Sequence, residues 1–286
     1  MSTHEPEVRT LKVPGARIHH EVRGSGPVLL MIPGGPQDAG VLAEIARLLA
    51  DRYTTVTYDP RGNSRSTLDG EPVEQEVDVH ADDAARLIAE LGGGPVDVFG
   101  TSGGGQVGLA LTARYPDLVR VLVAHEPACV PMLDDPAAAE ARDRHVYDTY
   151  LREGVDAAMV EFLGLNGLDV GEGAEGDALS GGDGPPPGEE ELATFERVSG
   201  NFDYFLRHGL LPISLYRPDV EALAGGAPRV VVGLGAESEG ELIHDIGLAL
   251  AGRLGSAPVG FPGDHLGYDS HPDGFSETLH RVLREA

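Results

Sequence analysis

The sequence predicts an α/β protein with a mostly parallel sheet flanked by helices. Short apolar runs of strand length alternate with helically spaced segments from Val28 to Ala124. The alternation stops at Pro131 and resumes at Arg229, so the intervening stretch reads as a helical insertion in one core. Residues able to do chemistry fall just after the apolar runs, at the carboxyl ends of strands, where open parallel sheets gather function.

Taken in order, Val8 to Val13 and Ile18 to Val22 flank Pro14-Gly15 as a strand pair at a sheet edge. Val28 to Ile32 is a continuous apolar run that suits a buried strand. It ends in Pro33-Gly34-Gly35-Pro36, where adjacent glycines either turn the chain or aim backbone N–H groups into a cavity. Leu42, Ile45, Ala46 and Leu49 then recur at helical spacing. Thr54 to Tyr58 is a β-branched strand, followed by the polar loop Asp59 to Ser66, read as a corner held by Asp–Arg pairing. Val77 to Leu91 is an amphipathic helix closed by Gly92-Gly93-Gly94-Pro95.

The central stretch follows. Val96 to Phe99 reads as a buried strand, Gly100-Thr101-Ser102-Gly103-Gly104 as a sharp corner, and Val107, Leu111 and Arg114 as one face of a helix. A strand that turns directly into a helix forces its neighbours to pass without side chains, which Gly100 and Gly104 permit. The result is G-x-S-x-G, a nucleophile elbow with Ser102 at its tip. Val119 to Ala124 is the next strand, ending at His125-Glu126-Pro127.

No strand is expected from Pro131 to Gly226. Asp135 to Glu153, Val155 to Leu163 and Glu189 to His208 read as helices, the last carrying Phe195, Phe202, Tyr204 and Phe205 as candidates for an acyl pocket. The stretch 166–188 is rich in Gly, Asp, Glu and Pro, has little apolar surface to pack, and is expected to be flexible. The domain reading is a core over 1–130, a helical cap over 131–226 and a second core segment over 227–286. In the last, Arg229 to Leu234 and Pro258 to Phe261 are strands, and Gly240 to Leu254 and Phe275 to Leu283 are helices. Gly263-Asp264-His265-Leu266-Gly267 follows the final strand.

Composition narrows the function. With 21 basic and 47 acidic residues the formal net charge is -26, which opposes binding to nucleic acids or anionic membranes. The single Cys129 cannot form an internal disulfide or a cysteine-rich metal site. No run approaches a membrane span and the first ten residues are polar, so a cytoplasmic protein is expected.

Ser102 needs a base to become a nucleophile, and an imidazole, with an unperturbed pKa of about 6.5, is the natural one. Of the 11 histidines, His265 is best placed, following the last strand and lying after the serine in the chain. With the elbow, the Pro33-Gly34-Gly35-Pro36 loop, Asp59-Pro60-Arg61-Gly62 and Gly263 to Gly267, the chain resembles the α/β-hydrolase fold serine hydrolases. The resemblance spans everything but the cap and implies the α/β-hydrolase fold, with the cap inserted after the strand that follows the nucleophile helix. It also implies oxyanion donors at the backbone of Gly35 and Gly103, although the first loop opens here with Pro33-Gly34 where His-Gly is usual.

The resemblance places the acid in one of two positions. After Arg229 to Leu234, the place used by most such enzymes holds Ser238, with Glu237 and Glu239 offset beside it. The other place, after the strand that follows the nucleophile helix, holds Glu126. A carboxylate at a buried strand end needs a partner, which favours Glu126 over Glu237. The implied chemistry is hydrolysis of an ester or related acyl bond of a small molecule, with no metal or organic cofactor. Proline-iminopeptidase-like or C–C bond hydrolysis, a lyase or oxygenase, and a non-catalytic binder are the alternatives. Epoxide hydrolases and dehalogenases would need Asp at position 102. Nothing in the sequence fixes the oligomeric state.

Overall fold

The computed structural model describes residues 5–165, 188–225 and 227–285. The expected flexible stretch 166–188 lies, apart from Gly188, outside the described residues.

The strands are β1 (Glu7–Val13), β2 (Ala16–Gly24), β3 (Val28–Ile32), β4 (Thr54–Tyr58), β5 (Thr67–Leu68), β6 (Val96–Thr101), β7 (Val119–His125), β8 (Arg229–Gly235) and β9 (Val259–Phe261). They form one sheet in the order β1-β2-β4-β3-β6-β7-β8-β9, with β5 paired to β2. From β4 to β9 every pairing is parallel, and β1, β2 and β5 pair antiparallel at one side. The chain runs from β3 outward to β4 and then crosses back to β6 on the other flank of β3. This reversal is a topological switch point, and it opens a crevice at the strand ends.

The helices of the core are α1 (Ala43–Leu49), α2 (Val77–Glu90) and α3 (Gly103–Arg114), followed after the insertion by α10 (Leu242–Leu254), α11 (Gly267–Ser270) and α12 (Pro272–Arg284). They cover both faces of the sheet. Leu30, Ile32, Val98 and Leu122 point to one buried cluster with α2, α3 and α10, while Leu29, Met31, Phe99 and Val123 point to the other with α1 and α12. Alternate residues of one strand thus serve opposite cores, and this explains why β3 and β6 read as unbroken apolar runs.

The insertion between β7 and β8 contains α4 (Ala137–Glu153), α5 (Val155–Leu165), α6 (Glu189–Gly200), α7 (Phe202–His208), α8 (Leu210–Ser214) and α9 (Val220–Leu223), with no strand among its described residues. The single helix expected over Glu189 to His208 is two. The break falls at Asn201, whose side-chain amide donates to Pro36 O at 2.8 Å and to Ser64 Oγ at 2.9 Å while its oxygen accepts the Ser64 N–H at 2.7 Å. An asparagine used this way fastens the insertion to two loops of the core. Beside it, Arg197 Nε donates to the fully buried carboxylate of Asp38 at 2.6 Å. The loop after β4 is a structural corner, with Arg65 forked onto Asp59 by contacts of 2.8 and 2.9 Å.

Candidate active site

At the end of β6 the chain turns on Ser102, with φ 52° and ψ -124°. Such a conformation costs a non-glycine residue on the order of 1–3 kcal/mol and persists only where the surroundings enforce it. Ser102 N donates to His125 O at 2.9 Å. A Cβ on Gly100 would lie 2.4 Å from Gly104 O, and one on Gly104 would lie 2.2 Å from Ile32 O. Only glycine allows α3 to start so close to β3 and β6. Gly103 opens that helix, and its N–H belongs to the first turn, which has no acceptor within the helix.

The loop after β3 closes against this corner. A Cβ on Gly34 would lie 2.8 Å from Ser102 Cβ, and one on Gly103 would lie 3.1 Å from Gly35 N. Gly35 has φ 39°, and Gln37 holds the loop by accepting the Gly34 N–H at 3.0 Å while donating to Tyr268 Oη at 2.8 Å. The backbones of Gly35 and Gly103 are therefore neighbours beside Ser102.

Glu126 follows β7 directly and is fully buried, with φ 40°. Its N–H donates to Gly233 O at 2.9 Å. One carboxylate oxygen accepts the Gly235 N–H at 2.8 Å, and the other lies 2.8 Å from His265 Nδ1. Burial alone would raise this carboxyl. The hydrogen bond from His265, the neighbouring imidazoles and the Gly235 N–H outweigh it and bring the pKa down to about 2. An ionised carboxylate can only accept, so Nδ1 carries the proton and Nε2 is the free nitrogen of the neutral ring. Of the three non-glycine residues with positive φ among those described, Ser64, Ser102 and Glu126, two are these site residues.

Behind the pair lies His125, which the sequence did not single out. Its ring stacks on His265 with centroids 6.4 Å apart and sits among Phe99, Phe261 and Phe275. Burial pushes its pKa down to about 4 against the pull of Glu126, so it is a neutral neighbour near pH 7. Glu237, the alternative acid, is exposed and 3.9 Å from the exposed His271. Ser238 is buried. No hydrogen bond joins Ser102 Oγ to His265. The Ser102 N–H instead ties the corner to His125 O, the residue before Glu126, whose carboxylate holds His265.

A cavity of about 50 Å³ opens on Ser102, Gly35 and Gly103. Its far walls come from the insertion, with Phe205 of α7 and Ile213 of α8 against the two glycines. Gln106 Nε2 holds α8 in place by donating to Ile213 O at 2.7 Å. Of the four aromatics named from the sequence, Phe205 lines the cavity; Tyr204 lies instead over Gly62. Asp143 of α4 also lines it and carries no motif; the signal is its spacing, since it shares a helical face with Ala139, Val146 and Tyr150. Among the described residues no group of three metal-ligating side chains could hold an ion, and no helix is long and apolar enough to cross a membrane.

Comparison with known proteins agrees with this architecture. A family model described as the alpha/beta hydrolase fold matches residues 27–158. The uncharacterized hydrolase YraK of Bacillus subtilis (strain 168) is 34% identical over 280 residues, covering 96% of each chain. A 2-(acetamidomethylene)succinate hydrolase of Mesorhizobium japonicum is 37% identical over 102 residues, or 36% of each chain. Among solved structures, a thermophilic esterase from Thermogutta terrifontis superposes with a TM-score of 0.71 at 20% identity, covering 98% of each chain. The chain belongs to the α/β hydrolase fold family of hydrolases.

Proposed function

We propose that this protein is a serine hydrolase that cleaves an ester or related acyl bond of a small molecule, with Ser102 as nucleophile, His265 as base and Glu126 as the acid that orients it. The observation that carries the reading is the Glu126–His265 hydrogen bond at the end of β7, where His125 O accepts the N–H of the strained Ser102 at its helix start. His265 Nε2 takes the Ser102 proton as Oγ attacks the acyl carbon. The backbone N–H groups of Gly35 and Gly103 receive the oxyanion, a donor of this kind being worth about 3 kcal/mol. Collapse expels the leaving group, which takes the proton from the imidazolium, and an acyl-serine remains. Water then attacks, passes its proton to His265, and releases the acid as the proton returns to Ser102.

The residues between β7 and β8, within 131–226, act as a cap that shapes the acyl site. The cavity has room for a few water-sized groups, so the acyl part that enters it is short. That YraK is named a hydrolase and that the structural neighbour from Thermogutta terrifontis is an esterase are in keeping with this chemistry. The test is hydrolysis of p-nitrophenyl acetate and butyrate by the wild type and Ser102→Ala. A loss of on the order of 10⁴-fold or more is expected; near-normal turnover by the variant contradicts the reading.

A further inference from the structure

The geometry points to Asp143 as the specificity-determining group of the cavity: the acyl part of the substrate carries a hydrogen-bond donor, a hydroxyl or an N–H, that meets the Asp143 carboxyl. This rests on the reading of Ser102 as the nucleophile that takes the acyl group.

Asp143 is the one ionisable side chain among the described residues that line the cavity shared with Ser102, Gly35 and Gly103. Apart from the serines 102 and 214, the other lining side chains are apolar or absent. Asp143 Oδ2 is buried and has no partner at hydrogen-bond geometry among the described residues, although the Ser214 hydroxyl lies close enough to the carboxyl to favour its charged form. Buried polar atoms are nearly always satisfied, and each exception asks for a reason. On α4 the residue occupies the inward stripe with Ala139, Val146 and Tyr150, where an apolar side chain would pack without this cost. Burial pushes the carboxyl up to about 6, against the Ser214 hydroxyl beside it, which favours the charged form. A carboxyl group short of one donor on the wall of an apolar acyl site is complementary to a substrate that brings that donor. Such a site rejects an analogue lacking it, because the carboxyl is then left unpaired.

The experiment compares p-nitrophenyl butyrate with its 2-hydroxy and 3-hydroxy forms in the wild type, Asp143→Leu and Asp143→Asn. At least one hydroxy ester is expected to exceed butyrate in kcat/KM by about tenfold or more in the wild type. That ratio falls to within about twofold in Asp143→Leu. Asp143→Asn, whose amide oxygen still accepts, keeps part of it and serves should the leucine variant fold poorly. A role confined to holding the insertion together would change all esters alike. No preference in the wild type, or the same preference in Asp143→Leu, overturns the assignment.

A binding arm separates this from failure of the serine reading. Calorimetry on Ser102→Ala and on Ser102→Ala/Asp143→Leu measures 2-hydroxybutyrate and 3-hydroxybutyrate against butyrate. If the wild type cleaves none of the esters yet a hydroxy acid binds more tightly only when Asp143 is present, the Asp143 assignment stands and the acyl-enzyme reading fails. Equal binding of hydroxy acids and butyrate overturns the Asp143 assignment. Adding 3-aminobutyrate tells a charged donor from a neutral one, and tighter binding of either through Asp143 supports the shared chemistry.

Discussion

Glu126 and His265 lie 139 residues apart in sequence and 2.8 Å apart in space, joined through a carboxylate whose second oxygen is occupied by the Gly235 N–H. Both oxygens are thus committed, and the imidazole is held from one side only. An amide at position 126 would present an N–H to Nδ1, place the ring proton on Nε2, and leave no base facing outward.

Glu126→Gln should therefore remain folded and lose up to about 10⁴-fold in kcat, the precedent for such an acid-to-amide change. Glu237→Gln should stay within about twofold, because Glu237 is exposed and the side chain beside it, the exposed His271, is 3.9 Å away. Ester turnover by the two purified variants decides between them. A crippled Glu237→Gln beside a normal Glu126→Gln would move the acid to the end of β8.

The elbow makes a prediction about stability. A Cβ at Gly104 meets two backbone oxygens, Ile32 O at 2.2 Å and Pro33 O at 2.5 Å, neither of which can turn aside. Gly104→Ala should cost about 2 kcal/mol or more. Gly252, exposed in α10 with nothing within 4 Å of an added Cβ, is the control. Gly252→Ala should stabilise by about 0.5–1 kcal/mol. Urea unfolding of both reads the difference, and a harmless Gly104→Ala contradicts the packing described.

Asp143 makes stability depend on pH in a way an asparagine cannot. Its folded pKa is raised from 3.8 to about 6 by burial. Above about 6 the group is ionised in both states and its buried charge counts against the fold. Below 3.8 it is protonated in both and the penalty is gone. Asp143→Asn should therefore gain on the wild type as pH rises from about 4 to about 7, by on the order of 1–2 kcal/mol. A stability difference that stays constant over that range would show that the carboxyl titrates normally.

Much of the core was legible because a parallel sheet writes itself into sequence as apolar runs bounded by turns. Val28–Ile32 and Val119–His125 come out within one residue of their expected limits. The elbow was legible for a steric reason, since Gly100 and Gly104 have no room for a side chain. The insertion was less so. The break at Asn201 arises from bonds to Pro36 and Ser64, more than 130 residues away, and helical periodicity carries no trace of them. Asp143 is one acidic residue in a helix full of them, and it gains meaning only where α4 meets the strand ends. His125 sits at the end of a strand run with no motif to mark it; its stacking on His265 depends on β9 being laid two strands away.

The identity of the nucleophile is tested most directly by covalent capture. The purified protein is treated with a fluorophosphonate and the adduct is located by peptide mass spectrometry. One adduct per chain is expected, on Ser102, absent from Ser102→Ala and formed far more slowly in Glu126→Gln. An unmodified Ser102, or an adduct on any other serine formed equally well in Ser102→Ala, would contradict the serine mechanism.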